Sequence, residues 1–488
     1  MVEDAVGTYS QANYDEYEFY NGDETLFNIT KNCLRSSYYQ IYDKILIYLT
    51  VCIITGIVKS LDINFYIKKS VIIFLGIYIL HYYFALDCVY LLVFIFSIFS
   101  ISLINHGNKW NDILFMCEAA ILLCSFGQFI VLSTDTWDKI RGSLMIIIMK
   151  IISISFDQSM TKNIQKVNIY EKYQLNKSWS WQKQLELLEY LFDPGTIIFG
   201  PWISFKHFEN SSHSNLNYKE TIKNGKYWLY LIKSFILCAI FFGMSSCMEI
   251  IVLYSTSISF IQRKLVTAYI QALSFRSGHY FVSYCSQLTS LLSLNYHFEK
   301  DLGVTSVTHF SEIEYPRSLV DVCQSWNIPM SFWLKKYVFA QSKLYLGTFA
   351  GLIITYLISS LLHGFNFRIS AILLSLAFYT YVEFVLRRLL SKRFSACVEA
   401  KECPESCQHT FGKKNWIVKI VNTSFALLAI FHLAYLGAPF GLNLDDDSDT
   451  TNNNITLQLT VRRWSQLGFL SPIIVLLTFL SSFLLKLF

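Results

Sequence analysis

Long apolar runs, each closed by polar or charged residues, recur along the whole chain. A bilayer core of about 30 Å is crossed by roughly 20 residues of helix, and about eleven runs read as crossings. They are Tyr42–Val58, Ser70–Asp87, Cys88–Asn105, Ile113–Ser133, Gly142–Phe156, Trp228–Ser255, Lys264–Leu294, Leu344–His363, Phe367–Leu386, Ile417–Ala438 and Leu467–Phe488. The apolar stretch from Ser70 to Asn105 is too long for one crossing and divides at Asp87-Cys88. Trp228–Ser255 and Lys264–Leu294 exceed the bilayer and imply tilt or protruding turns. The expected fold is an all-α polytopic membrane protein, with a polar, acidic tail over residues 1–41 and a multi-pass domain over 42–488.

Composition agrees with this pattern. Charged residues make up 15% of the chain, against about 25% in soluble domains, so most of the surface faces lipid. Only 7 prolines and 20 glycines exclude fibrous and disordered classes, and 40 Phe with 31 Tyr suit aromatic belts at two interfaces. Residues 1–41 lack the basic-then-apolar pattern of a cleaved signal, so the first crossing is expected to act as the insertion signal.

Lysine and arginine set the orientation, because they accumulate on the cytosolic side. Arg387, Arg388, Lys392, Arg393, Lys401, Lys413 and Lys414 lie in one connection, and Lys162, Lys166, Lys172, Lys177, Lys183, Lys206, Lys219, Lys223 and Lys226 in another. Arg317, Lys335 and Lys336 precede the run that ends at His363. All three segments fall on one side. The opposite, lumenal side receives the N-terminal tail and the loop Pro439–Gln466 with Asp445-Asp446-Asp447. The sequons Asn28-Ile29-Thr30 and Asn454-Ile455-Thr456 fall there too. The N-terminus is therefore expected in the lumen and the C-terminus in the cytosol.

The stretch Phe192 to Ile203, with Pro194, Gly195, Gly200 and Pro201, is apolar but too short to cross. Irregular backbone at membrane depth needs protein or a water-filled cavity around it, so the segment reads either as re-entrant or as an interfacial loop. The 12 cysteines lie mostly in apolar runs and do not suggest a disulfide framework. Cys397, Cys403, Cys407 and His409 form a C-x5-C-x3-C-x-H cluster in a predicted cytosolic loop. Free thiols are the first reading of it, with a structural zinc or S-acylation as alternatives.

An ionisable residue at membrane depth costs about 2.5–3.5 kcal/mol on insertion scales and is a functional candidate by default. His363 is one, and His81, His279 and His432 are its rivals. The pattern of Tyr315-Pro316-Arg317-Ser318, Ser325-Trp326-Asn327-Ile328-Pro329 and Trp333, followed by Ser359-Ser360-Leu361-Leu362-His363-Gly364-Phe365, resembles the membrane-bound O-acyltransferase family. Gly200-Pro201-Trp202, Cys397, Cys403-Pro404 and Cys407, and Ala426–Gly437 extend the likeness over roughly residues 140–440, towards the branch that acylates proteins.

The resemblance implies helices around a transmembrane tunnel and a catalytic pair, His363 and Asn327. Neutral imidazole suits removal of a hydroxyl proton at cellular pH, and an asparagine orients the reacting groups or donates to the oxyanion. It further implies transfer of palmitoleoyl from palmitoleoyl-CoA, as co-substrate, to a serine of Wnt proteins in the endoplasmic reticulum membrane. No metal, redox cofactor or nucleic acid is implied. Arg317 is the candidate for the CoA phosphates, whereas Lys335 and Lys336 read first as ordinary positive-inside charges. Trp326, Trp333 and Tyr337 either line the acyl path or belong to the interfacial belt. A lysophospholipid acyltransferase of the same superfamily is the nearest alternative. A proton-coupled transporter is a distant one, since no paired half-repeats are present.

Overall fold

The computed structural model describes residues 26–104, 119, 121, 123–165, 181–213, 218–255, 260–295, 306–404, 406–440 and 453–487. Most of the tail, the first part of the predicted crossing Ile113–Ser133, Lys166, Lys172, Lys177 and the run Asp445–Asp447 lie outside these residues. The long helices are α1 (Leu26–Ser60), α2 (Phe65–Phe84), α3 (Cys88–Ile104), α4 (Thr134–Gln165), α5 (Trp181–Phe192), α6 (Gly225–Ser255) and α7 (Phe260–Leu292). They continue with α8 (Leu319–Trp326), α9 (Ile328–Trp333), α10 (Ala340–Leu362), α11 (Phe367–Phe394), α12 (Trp416–Gly437), α13 (Asn453–Gln466) and α14 (Leu470–Leu487). Among the described residues, 7 helical stretches are long and apolar enough to cross a membrane, fewer than the runs counted in the sequence.

Local chemistry sets the boundaries. Asn64, Asn366 and Asn415 each accept a backbone N–H at the start of α2, α11 and α12, satisfying donors that a helix start leaves orphaned. The division at Asp87-Cys88 is observed: α2 stops where Ala85 takes a positive φ of 49°, and a short turn, Ala85–Asp87, leads into α3. Helix α1 begins at Leu26, well before the run Tyr42–Val58. Helix α7 is central and buries Gln271, Ser274, Ser277, Ser283, Ser286 and Ser290. Small polar side chains let neighbouring backbones approach, and a Cβ on Gly437 of α12 would lie 2.8 Å from Ala272.

Two findings correct the sequence reading. Cys33 of α1 and Cys247 of α6 form a disulfide, although the cysteines had suggested none; packing α1 against α6 brings together residues 214 apart. The predicted crossing Leu344–His363 is not a straight helix. Gly347 has φ 81° and ψ 177° inside α10, a conformation essentially restricted to glycine. In a straight helix Lys343 and Gly351 would lie about 12 Å apart, yet a Cβ on Gly351 would sit 3.2 Å from the Lys343 nitrogen. Ile358 and Leu362 pack in one cluster with Met330, Trp333 and Tyr337. The apolar stretch Ile328–Leu362 is therefore a helical hairpin that turns at Gly347, with Leu344, Tyr345 and Leu346 exposed at its tip.

The irregular stretch between Phe192 and Ile203 is buried in the bundle, as a re-entrant segment would be. Lys59 of α1 bonds Asp193 at 2.6 Å and also contacts Asn295, which donates to Asp193 at 2.7 Å. Lys150 of α4 donates to the Tyr190 carbonyl at 2.6 Å and to Thr196 at 2.8 Å. Lys69 pairs with Glu189 at 2.5 Å. Charges in so dry a place persist only when paired or hydrogen-bonded; Lys59 and Lys150 pin the segment to α1 and α4, and Lys69 ties α2 to the end of α5 that leads into it.

Candidate active site

Asn327 stands at the junction of α8 and α9 with an extended backbone, φ −143° and ψ 94°. Its Oδ1 accepts the Met330 N–H at 3.0 Å and so caps α9, with Pro329 in the first turn. The acceptor end of the amide is thereby committed. Its Nδ2 end has no partner among the described residues and is the donor left for a substrate. Around it, Ile328 N–H donates to Val307 O at 2.9 Å and Thr308 Oγ1 to Ser325 O at 2.9 Å. His279 of α7 stacks on Trp326 with centroids 4.4 Å apart and donates from Nε2 to the Trp326 carbonyl at 2.7 Å. His279 thus holds the turn that presents Asn327, a role no local motif in the sequence announces.

His363 ends α10, its N–H bonded to Ser360 O at 3.1 Å, and is half-buried. The chain then turns through Gly364 at φ 85°, where a Cβ would lie 2.9 Å from the Trp137 ring. Two residues after His363, Gln128 binds both backbone groups of Phe365. The Phe365 N–H donates to Oε1 at 2.9 Å, and Nε2 donates to the Phe365 carbonyl at 3.3 Å. Gln128 sits in a widened π-turn, Gly127–Val131, a feature often found at functional sites. Trp137 and Gln128 fix the turn that carries His363.

The hairpin brings the two candidates to one end. Tyr356, two turns before His363, donates its hydroxyl to Cys323, one turn before Asn327, at 3.0 Å. Thr380 of α11 lies 3.6 Å from the same sulfur. Just above in α8, burial and then Glu312 raise the Asp321 carboxyl from its ordinary range, against Arg317, Arg387 and Lys401.

The other residues singled out in the sequence are distributed differently. Trp333 is 1% exposed and donates to the Met149 carbonyl at 3.0 Å. Tyr337 packs against Trp202 and Phe156 and donates to Asp157 at 2.8 Å, beside the Lys336–Asp157 pair. These two belong to the wall between α4, the re-entrant segment and the hairpin. Trp326 is half-buried beside Asn327. Arg317 donates to the carbonyls of Glu399 at 3.1 Å and Cys397 at 3.0 Å, which gives it a structural task in the cysteine loop. The rival histidines hold structure: His81 bonds the Ala85 carbonyl at the end of α2, and buried His432 lies 2.6 Å from Ser471.

A family model described as MBOAT, membrane-bound O-acyltransferase family, matches residues 127–397, which include every residue of the site above. Protein-serine O-palmitoleoyltransferase porcupine of Homo sapiens is 32% identical over 484 residues, covering 94% of this chain and 96% of that protein. Its counterpart in Mus musculus is 31% identical over 482 residues, with the same coverage. The porcupine protein of Anopheles gambiae is 34% identical over 328 residues, 63% of this chain and 62% of its own length. With more than half of its length matched by the family model, and with near full-length relatives above 30% identity, this chain belongs to the membrane-bound O-acyltransferase family.

Proposed function

We propose that this chain transfers a palmitoleoyl group from palmitoleoyl-CoA to a serine hydroxyl of a Wnt protein, in the endoplasmic reticulum membrane. The names of the relatives support the acyl group and the serine acceptor. The structural observation that supports the reading is the hairpin at Gly347, which seats Tyr356, two turns before His363, on Cys323, one turn before Asn327.

In this reading His363 takes the proton from the serine hydroxyl as its oxygen attacks the thioester carbon. The carbonyl oxygen becomes an oxyanion, which the Nδ2 amide of Asn327 stabilises. Collapse expels CoA thiolate, and the imidazolium returns the proton to it. The acyl group arrives already activated as a thioester, so acyl-CoA as co-substrate is all the chemistry asks for.

Orientation follows the same reading: N-terminus lumenal, C-terminus cytosolic. The Cys33–Cys247 disulfide supports it, because disulfides persist in oxidising compartments and both residues lie at the bundle end assigned to the lumen. The basic loops then face acyl-CoA.

The test is acyl transfer from palmitoleoyl-CoA to a Wnt-derived serine peptide in microsomes, with His363→Ala at matched expression. Transfer by the parent and none by the variant is the expected result. Transfer to lysophospholipid instead of peptide would move the chain to the lipid branch. Full activity in His363→Ala would overturn the site.

A further inference from the structure

The cysteine loop between α11 and α12 takes no part in the transfer just described, yet it is built around four soft donor atoms. The thiols of Cys397, Cys403 and Cys407 and the imidazole of His409 converge so that their ligand atoms all lie within 4.8 Å of one another. We propose that Cys397, Cys403, Cys407 and His409 form a structural zinc site that clamps this loop beneath the segment leading to Asn327.

The spacings fit the ion. A tetrahedral zinc with Zn–S of about 2.3 Å and Zn–N of about 2.0 Å sets its ligands about 3.5–3.8 Å apart. In the structure Cys397 Sγ lies 3.2 Å from Cys407 Sγ and 3.5 Å from His409 Nδ1, and Cys403 Sγ lies 3.7 Å from that nitrogen. The thiols of Cys397 and Cys403 are buried, and without an ion the three sulfurs and the nitrogen have only weak thiol hydrogen bonds to hold them together.

The surroundings prepare the histidine and balance the charge. His409 Nε2 lies 3.3 Å from Ser391 Oγ, whose own hydrogen goes to the Ala396 carbonyl at 2.8 Å. The Ser391 oxygen therefore accepts the Nε2 hydrogen and leaves the Nδ1 lone pair aimed at the sulfurs. This is the outer partner that metal-bound histidines usually have. Three thiolates around one Zn²⁺ carry a net negative charge. Two guanidiniums meet it: Arg317 on the Cys397 and Glu399 carbonyls, and Arg387 on the Val398 and Glu399 carbonyls. Binding releases the three thiol protons to solvent.

The same two arginines give the clamp its reach. Arg387 also donates to the Arg317 carbonyl at 2.9 Å and to Glu383, which receives the Leu319 N–H at 2.9 Å at the start of α8. Zinc fixes the loop, the loop fixes the arginines, and these hold the helix that ends at Asn327.

The experiment is elemental analysis of the full chain, purified in detergent without chelator. About one zinc per chain is expected. His409→Cys, which preserves a soft ligand, should keep it; Cys403→Ser and His409→Ala, which remove ligands, should lower zinc affinity by more than the roughly 10–100-fold that loss of an outer partner costs. Cys124→Ser, at a buried thiol elsewhere, should leave the metal content unchanged. A second readout needs no variant: a thiol-specific reagent should modify Cys397, Cys403 and Cys407 only after a chelator removes zinc. Parent protein with no zinc, even after incubation with it, would overturn the proposal. So would zinc that survives Cys403→Ser together with His409→Ala, or a Cys397–Cys407 disulfide in protein alkylated on isolation.

Discussion

The Tyr356 hydroxyl lies 3.0 Å from the Cys323 sulfur, and this contact joins the returning arm of the Gly347 hairpin to the helix that ends at Asn327. Thirty-three residues of chain separate the two, so the contact exists only because the hairpin closes. Tyr356→Phe keeps the ring and removes the bond, which is worth about 0.5–1.5 kcal/mol. Peptide acylation should fall about 3- to 10-fold in kcat, with KM for acyl-CoA little changed. An unchanged kcat would show that the bond does not align the two arms.

Gly347 is the second test of that closure. Its φ of 81° is unfavourable for any side chain, although a Cβ there would meet nothing within 4 Å. The cost of Gly347→Ala is therefore conformational, about 1–3 kcal/mol, with no steric part. Activity should drop about 5- to 150-fold while the protein still folds, as judged by its elution from a sizing column. Gly142→Ala, equally open but within α4 and without a positive φ, is the matched control and should be neutral.

Arg387 is fully buried and donates to Val398, Arg317, Glu383, Glu399 and Asn422 at once. Removing one member of a buried ionic network typically costs about 3–5 kcal/mol, because the remaining charge loses its partner. Arg387→Ala should therefore yield little folded protein. Arg387→Lys should help little, since an ammonium cannot reproduce the planar fork. Thermal unfolding in detergent measures both. A melting temperature within a degree or two of the parent would show that the hub is dispensable.

Much of this architecture can be read in the residues, and what cannot has a physical reason. Apolar run length found α2, α3, α11, α12 and α14, and the polar break at Asp87-Cys88 marked a real helix end. The prolines and glycines between Phe192 and Ile203 marked the buried irregular segment. Run length could not reveal the hairpin, since one glycine in an apolar stretch looks the same whether its φ is negative or 81°. No nearby residue announces what Lys59, Lys69 and Lys150 bind, because Asp193 and Glu189 lie 134 and 120 residues from Lys59 and Lys69, and the Tyr190 carbonyl and Thr196 lie 40 and 46 residues from Lys150. Cys33 and Cys247 are likewise too distant in sequence to be paired by spacing. For the proposed site, the sequence names Asn327 and His363 as candidates. Their supports, His279, Gln128 and Tyr356, were not legible, because each acts through a backbone group or sulfur brought to it only by the fold.

Asn327 separates two roles that one substitution alone would confuse. Its Oδ1 caps α9 by accepting the Met330 N–H, and its Nδ2 is the donor assigned to the oxyanion. Asn327→Ala removes both, with loss of the cap costing about 0.5–2 kcal/mol of stability. Asn327→Asp keeps an excellent cap acceptor and removes only the donor, while adding a negative charge where the oxyanion must form. If the donor role holds, Asn327→Asp should melt like the parent yet lose about 10²–10³-fold in kcat, as missing oxyanion donors do. Asn327→Ala should lose activity to a similar degree and melt lower as well. Should Asn327→Asp acylate peptide at the parental rate, the residue would be a helix cap alone, and the oxyanion would need another donor.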